Sequence, residues 1–275
     1  MNRLSRVDRI RVLKALIEGN SLRATARMTG VARMTVEKLL RDLSVACILY
    51  QDKRLRRLAC KRIQCDEIWS FVYAKQKNVP IDKHGQFRYG DVWTWVAMDT
   101  DTKLAVSWMI GDRGATTAFA FIDDLASRLA NRIQLTTDGH RVYLDAVENA
   151  FGSEIDYSML VKLYGADREK EARYTSAECI ECREVAVSDR PDPKRISTRY
   201  VERQNLRMLI CMRGFTRLTN AFSKRVENHA QSVAIHLMYY NFVRIRQSLR
   251  VTPAMAAGIE KQVWEVEDIV ALLSN

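Results

Sequence analysis

The sequence predicts an α/β fold, a mixed five-stranded sheet with flanking helices, preceded by an all-α helix-turn-helix domain. Three observations lead there. Apolar residues recur at helical spacing through the first 48 residues, and strand-like alternation takes over from residue 63. The third is charge: residues 1–62 hold 16 Lys plus Arg against 5 Asp plus Glu, whereas the remaining 213 hold 28 of each. All of the net +11 therefore lies in the first fifth of the chain. A charge run is often only a solvated face, but a segment this lopsided reads as a polyanion-binding module, with nucleic acid the usual polyanion.

Bulk composition narrows the field. With 275 residues, 47% hydrophobic and 28% charged, the chain can bury a sizeable core. No run of about 18 apolar residues offers a membrane span. The opening MNRLSRVDRIRVLKALIEGN is charged throughout and lacks a signal-peptide core, so the expectation is a cytoplasmic, nucleoid-associated protein with no membrane partner. Six scattered cysteines suit reduced thiols. Cys179 and Cys182 alone have metal-ligand spacing, and with no second pair nearby a zinc site is disfavoured; Cys60 and Cys65 are the remote candidates to complete one.

The N-terminal elements come first. Val7, Ile10, Leu13, Leu16 and Ile17 share one helical face. Asn20 or Ser21 caps a short second helix, with Leu22 and Ala26 on one side, and Gly30 closes it. A third helix follows with Val36, Leu39, Leu40 and Leu43 inward. Small residues, a glycine turn and an inward valine suit a helix-turn-helix, whose recognition helix would present Arg33, Thr35, Lys38 and Arg41 to the major groove. The bland alternative is a plain three-helix unit with solvated arginines. Residues 49–62 read as a basic linker able to track phosphates.

Beyond it, RIQCDEIWSFVYAKQ is a first strand with Asp66 and Glu67 in its middle. A Pro- and Gly-bearing loop over 79–91 leads to strands at 91–100 and 104–113. An amphipathic helix spans 116–130, a fourth strand ends at Asp138 before Gly139, a helix covers 142–151, and a fifth strand covers 155–165. Three meander strands followed by βα units give the ribonuclease H-like order. In that arrangement an acid in the first strand lies beside one at the end of the fourth, here Asp66 and Asp138. A helix over 197–212, with Ser197 as its cap, carries Glu202 among Arg199, Arg203 and Arg207.

Three acids brought together would repel unless divalent ions lay between them. Mg²⁺, with Mn²⁺ the alternative, takes oxygen ligands, and two such ions clamp the attacking and leaving oxygens of a phosphodiester. Each acid also has a plainer reading: an edge-strand charge for Asp66, a helix cap for Asp138, an ion-pair partner of Arg203 for Glu202. Glu67, Asp99, Asp101, Asp112 and Asp145 compete for the role; Asp99 and Asp101 rank lower because turns favour Asp.

QCDEIWSF, QLTTDGH and STRYVERQNL, followed by RGFTRLTNAFSKRVENH and YYNFVRIRQSLRVTPAMAAG, resemble the insertion-sequence-one family of bacterial transposases from about residue 20 to about residue 265. The YVERQN and TPAMAAG blocks are the specific ones. The resemblance implies a DDE recombinase that cuts DNA at element ends and joins the freed 3′-hydroxyl to target DNA using two Mg²⁺ ions. It implies Asp66, Asp138 and Glu202 as catalytic and metal-holding residues, DNA ends and target as partners, and a homodimer or higher synaptic assembly. Such enzymes often carry Lys or Arg two helical turns beyond the glutamate; here that position is Leu209, with Arg203 and Arg207 as the substitutes for DNA contact.

The expected layout is a DNA-binding domain at 1–48, a linker at 49–62, a catalytic domain at 63–212 with a charged insertion at 166–196, and a helical region at 213–275. A long helix is expected over 214–246, with His229, His236, Tyr239, Tyr240 and Phe242 as packing residues. Two rivals remain: a DNA-binding regulator with a non-catalytic acidic domain, and a metal-dependent nuclease without strand transfer.

Overall fold

The computed structural model describes residues 4–164, 179–215 and 222–274. Helix α1 spans Arg6–Ile17 and α2 spans Leu22–Thr29. Each starts where a serine hydroxyl accepts an otherwise unpaired backbone N–H: Ser5 from Asp8, and Ser21 from Ala24. Gly30 ends α2 in the left-handed conformation at φ 73°, as the sequence predicted. Helix α3 begins at Arg33 and runs to Arg54, so the first part of the expected linker is helical. Val36, Leu39, Leu40 and Leu43 are buried as anticipated. On α1 the buried pair is Val12 and Leu13, whereas Val7, expected inward, is 57% exposed in the first turn.

The sheet follows: β1 Arg62–Val72, β2 Gly90–Asp99, β3 Ala105–Gly111, β4 Ile133–Asp138, β5 Ile155–Tyr164 and β6 Cys179–Ser188. The strand order is β3-β2-β1-β4-β5-β6. Strands β1, β2 and β3 pair antiparallel, β1–β4 and β4–β5 pair parallel, and β6 runs antiparallel to β5. The first five strands are compatible with the ribonuclease H-like order. The expected count of five is corrected to six, because β6 lies in the stretch read as an insertion. That stretch is rich in charge, and β6 is an outer strand whose Ile180, Val185 and Val187 are exposed, so neither face carried the apolar run that marks a buried strand. Residues 165–178, which include the first part of that stretch, lie outside the described residues.

Helices α4 (Ala115–Arg128) and α5 (Val142–Phe151) cover one face of the sheet. Phe121, Ile122, Leu125 and Tyr143 pack there against Ile63, Cys65, Trp95 and Leu135. Helices α6 (Arg199–Cys211) and α7 (Val226–Phe242) cover the other, where Val201, Met208, Val233 and Leu237 meet Ile68, Val96 and Met98. The long helix expected over 214–246 is thus shorter. Residues 216–221, with Arg217, lie outside the described residues. Tyr240 and Phe242 are buried, and His229 packs fully buried against Phe215, as the sequence suggested. Two short helices, α8 (Pro253–Ala256) and α9 (Val266–Ala271), close the chain. Among the described residues no helix is long and apolar enough to cross a membrane.

The N-terminal helices share the hydrophobic core of the sheet. One buried cluster runs from Val12 and Leu43 through Ile63, Trp95 and Phe121 to Phe242. Helix α3 lies along α7, and their contact contains a fully buried amide. Asn241 accepts from Ala105 N at 3.0 Å and donates to Ala105 O at 3.0 Å and to Gln51 Oε1 at 3.3 Å. One side chain thereby ties α7 to β3 and to α3. Replacing it leaves three buried polar groups without partners. Asn241→Leu is expected to lower unfolding free energy by roughly 2–5 kcal/mol in urea titrations. Because the core is shared, tryptophan fluorescence and helical circular dichroism should lose signal in one transition in the parent protein; two separated transitions would contradict the shared core.

Candidate active site

Strand β1 is the foundation of the acidic site. Gln64, Asp66 and Ile68 alternate onto the α6/α7 face, and Ile63, Cys65 and Glu67 onto the α4/α5 face. Gln64 Oε1 accepts from the backbone N–H of Tyr200 at 2.9 Å and of Val201 at 3.2 Å. It satisfies the free donors of the first turn of α6, a role the sequence reading gave to Ser197. Ser197 instead accepts only from Arg199 N, at 3.2 Å. One turn along, Asn205 Nδ2 donates to Asp66 Oδ2 at 2.9 Å. Two side chains of β1 thus fix α6, and Glu202 lies one turn before Asn205 on the same helical face.

Strand β4 contributes Asp138 at its last residue. The β1–β4 pairing ends at Cys65–Thr137, while β1 continues to Val72. Past that point β1 has no parallel neighbour, and carboxylates from both of its faces reach the opening. Asp66, Glu67 and Asp138 each bring an oxygen within 4.8 Å of the others. Among the described residues this is the one group of His, Cys, Asp or Glu gathered closely enough to share a metal ion. Cys60 and Cys65 are buried in the core and Cys182 is exposed on β6.

Glu202 stands just outside that trio. Its carboxylate is held by the Lys162 ammonium from β5 and by the Thr198 hydroxyl. It remains close enough to Asp66 to raise that carboxyl's pKa. The structure therefore brings Asp66 and Asp138 together and brings Glu202 beside them, with Glu67 as an added member. Glu67 was among the competing acids in the sequence, and strand alternation points it to the face opposite Asp66. Asp99 accepts from the Asp101 and Thr102 amides in its own turn, and Asp112 accepts from Gly114 N and Thr117. Arg113, Lys162 and Asn205 had no sequence signal, since each acts across elements.

Arg113 is the main counter-charge. Its Nε reaches Glu67 Oε2 at 3.2 Å and its Nη2 reaches Asp138 Oδ2 at 3.4 Å, with the guanidinium over Trp93. His140 helps: its backbone N–H donates to Asp138 Oδ1 at 3.1 Å, and its ring Nε2 meets Arg113 O at 3.0 Å. The Arg113 guanidinium does not neutralise the cluster. Burial, then the negative charges of Asp138 and Glu202, push Asp66 from an ordinary 3.8 up to about 7. Burial and Asp138 push Glu67 from 4.5 up to about 8, against the opposing pull of Tyr143 and Arg113. Glu67 Oε1 and Tyr143 Oη are buried without a hydrogen bond of good geometry, although the phenol is near enough to act on the carboxyl. Asn205 Oδ1 is likewise buried without a partner. Crowded, proton-hungry carboxylates and unpartnered oxygens form a hard donor set that suits Mg²⁺ or Mn²⁺.

Of the residues expected to contact DNA, Arg33, Thr35, Lys38 and Arg41 are all exposed on α3, Lys38 being paired with Asp42. Arg203 is exposed on α6. Arg207 turns inward: it is half-buried, its Nη1 has no hydrogen bond, and burial together with Arg244 and Arg246 lowers its pKa.

No protein-family model and no curated protein matches the chain. Among solved structures it is similar to the cryo-EM structure of a piggyBac transposase synaptic complex with hairpin DNA, at 13% identity and a TM-score of 0.39, covering 98% of this chain and 71% of that one. It is also similar to a Mos1 transposase paired-end complex with the left transposon end, at 14% identity and TM-score 0.22, covering 54% of this chain and 58% of that one. For the Mos1 strand transfer complex the values are 14% and 0.22, covering 86% and 78%. At TM-scores under 0.5 these likenesses carry no weight, and the functional reading stands on the acidic site itself.

The pKa shifts set a pH dependence. Asp66 and Glu67 titrate higher in the folded state than in the unfolded chain, so between about pH 4 and pH 8 the folded state binds more protons. Stability then falls as pH rises through that window. In chelator, the melting temperature should drop from pH 5 to pH 8, and Asp138→Asn should melt about 2–4 °C higher than the parent at pH 8 through relief of repulsion. Added Mg²⁺ should raise the parent's melting temperature and leave that of Asp138→Asn nearly unchanged.

Proposed function

We propose that the chain is a DDE-type transposase, of the insertion-sequence-one kind, that cleaves DNA at element ends and transfers the freed 3′ end to target DNA. The observation that carries this reading is the convergence of Asp66, Glu67 and Asp138 within 4.8 Å at the mouth of a mixed sheet. Glu202, delivered by α6 to the Asp66 side, completes the set of acids such chemistry uses.

In this reading Asp66 and Asp138 hold the divalent ions with Glu202, and Glu67 supports them from the opposite face of β1. Bound there, such ions would supply the positive charge that activates an attacking oxygen and stabilises a leaving one. Asn205 keeps the Asp66 carboxylate oriented by donating to one of its oxygens. Arg113 bridges Glu67 and Asp138 and sets their spacing. Lys162 holds Glu202 until DNA and metal enter, and then offers its ammonium to a phosphate oxygen. Arg207, clustered with Arg244 and Arg246 and lacking an anionic partner for its Nη1, supplies a further phosphate contact, alongside exposed Arg203. Helix α3 would enter the major groove through Arg33, Thr35, Lys38 and Arg41, its N-terminal turn being exposed for that purpose. Handling two ends calls for a dimer or a larger synapse.

A strand-transfer reaction with labelled element-end DNA tests the reading. Joined product is expected with Mg²⁺ or Mn²⁺ and not with EDTA. Asp66→Asn, Asp138→Asn and Glu202→Gln should each lower the rate at least about a thousandfold, with DNA affinity kept within a few-fold. Cleavage without joined product would instead identify a nuclease, and metal-independent DNA binding with no cleavage would identify a regulator.

A further inference from the structure

The chain beyond β1 turns at a place the acidic site does not use. Tyr73, the residue after β1, is held at φ 67°, a left-handed conformation costly for a bulky side chain. Its backbone N–H donates to Ser223 O at 3.1 Å, which locks the turn against the segment leading into α7. The ring is then set edge-on to Tyr89, with centroids 5.1 Å apart and planes at 81°. Lys83 lies over both rings, at 4.4 Å from Tyr73 and 5.1 Å from Tyr89.

These three residues wall a cleft of about 660 Å³ whose other sides come from α3 and the start of α7. Arg41, Arg88, Lys224 and Arg225 also line it. The lining carboxylates are Glu37 and Glu227, and only Glu227 approaches a lining cation, Arg88, at 3.8 Å. Five cations against two acids, around exposed Tyr73 and half-buried Tyr89, complement a phosphate with an attached base. The cleft is also within reach of a strand held at the acids. Tyr73 is seven residues along β1 from Asp66, about 23 Å at about 3.3 Å per residue, or about seven base steps of duplex. The N-terminus of α7, on the Asp66 face of the sheet, forms one of its walls.

We propose that this cleft binds an unpaired nucleotide of the DNA strand, its base stacked on Tyr73 or Tyr89 and its phosphates held by Lys83, Arg41 and Arg225. The proposal rests on the transposase reading for its DNA partner but not on the acidic site. It makes α3 and the β1–β2 hairpin two walls of one strand-binding site, so that the helix expected to read sequence also grips single-stranded DNA.

The test uses the full chain, without divalent metal, and fluorescence anisotropy. One probe is a blunt element-end duplex; the other is the same duplex with a six-nucleotide 3′ overhang. The parent should bind the overhang about tenfold more tightly, the scale of one stacked base. Lys83→Gln and Tyr73→Gly should shrink that advantage below about twofold while leaving blunt-duplex affinity unchanged. Glycine is chosen at Tyr73 because it accepts the left-handed backbone and spares the fold. An overhang advantage that survives both substitutions, or is missing from the parent, would overturn the cleft and leave the acidic-site reading standing. Failure to bind either probe would overturn both.

Discussion

Mutual repulsion among crowded carboxylates is the constraint around which this molecule is organised. Asp66, Glu67 and Asp138 lie within 4.8 Å of one another, and Glu202 adds its field to Asp66. At such distances two unit charges interact by several kcal/mol even at an effective dielectric near 20. The fold answers with two cations placed from separate elements. Arg113, in the loop before α4, spans Glu67 and Asp138. Lys162, from β5, holds Glu202. What these leave uncompensated appears as two carboxyls that keep protons near neutral pH. An arrangement so costly to fold is a common mark of a site kept for chemistry.

The architecture makes the crowding possible by a simple mismatch of strand lengths. Strand β4 stops at Asp138, its sixth residue, while β1 continues beyond the last shared pair to Val72. The uncovered stretch of β1 offers carboxylates on both of its faces to the same opening. The second element is the grip of β1 on α6. Gln64 satisfies the first turn of that helix and Asp66 receives Asn205 from its next turn. A helix that is otherwise free to slide along an apolar face is thereby fixed, and Glu202 with it.

The basic half of the molecule is joined to this core. Helix α3 is continuous through Arg54 and buries Gln51 against Asn241 of α7. Its exposed first turns and the cleft beside Tyr73 therefore stand in a fixed relation to the acids. Under the proposed transposase reading such rigidity would keep a bound DNA backbone in line with the acids, because small misplacements cost large factors in rate.

Much of this was legible in the residues. Periodicity gave the N-terminal helices, α4, α5 and the first five strands, because helical and pleated spacing are local properties read directly from apolar positions. The position of Asp138 at a strand end and of Asp66 inside a strand followed from the same patterns, and so did their meeting once the strand order was inferred. Charge bookkeeping located the basic segment, and the inward apolar face of the third helix put Arg33, Thr35, Lys38 and Arg41 outward. Tertiary structure alone decided the rest. It recruited Glu67, since only the early end of β4 lets a side chain from the far face reach the opening. It chose Arg113 and Lys162 as counter-ions, and turned Arg207 inward while Arg203 stayed out. It added β6, an outer strand with no buried face to announce it, and it replaced Ser197 with Gln64 as the cap of α6. Each of these depends on which distant segments become neighbours, and electrostatics and burial act through space rather than along the chain.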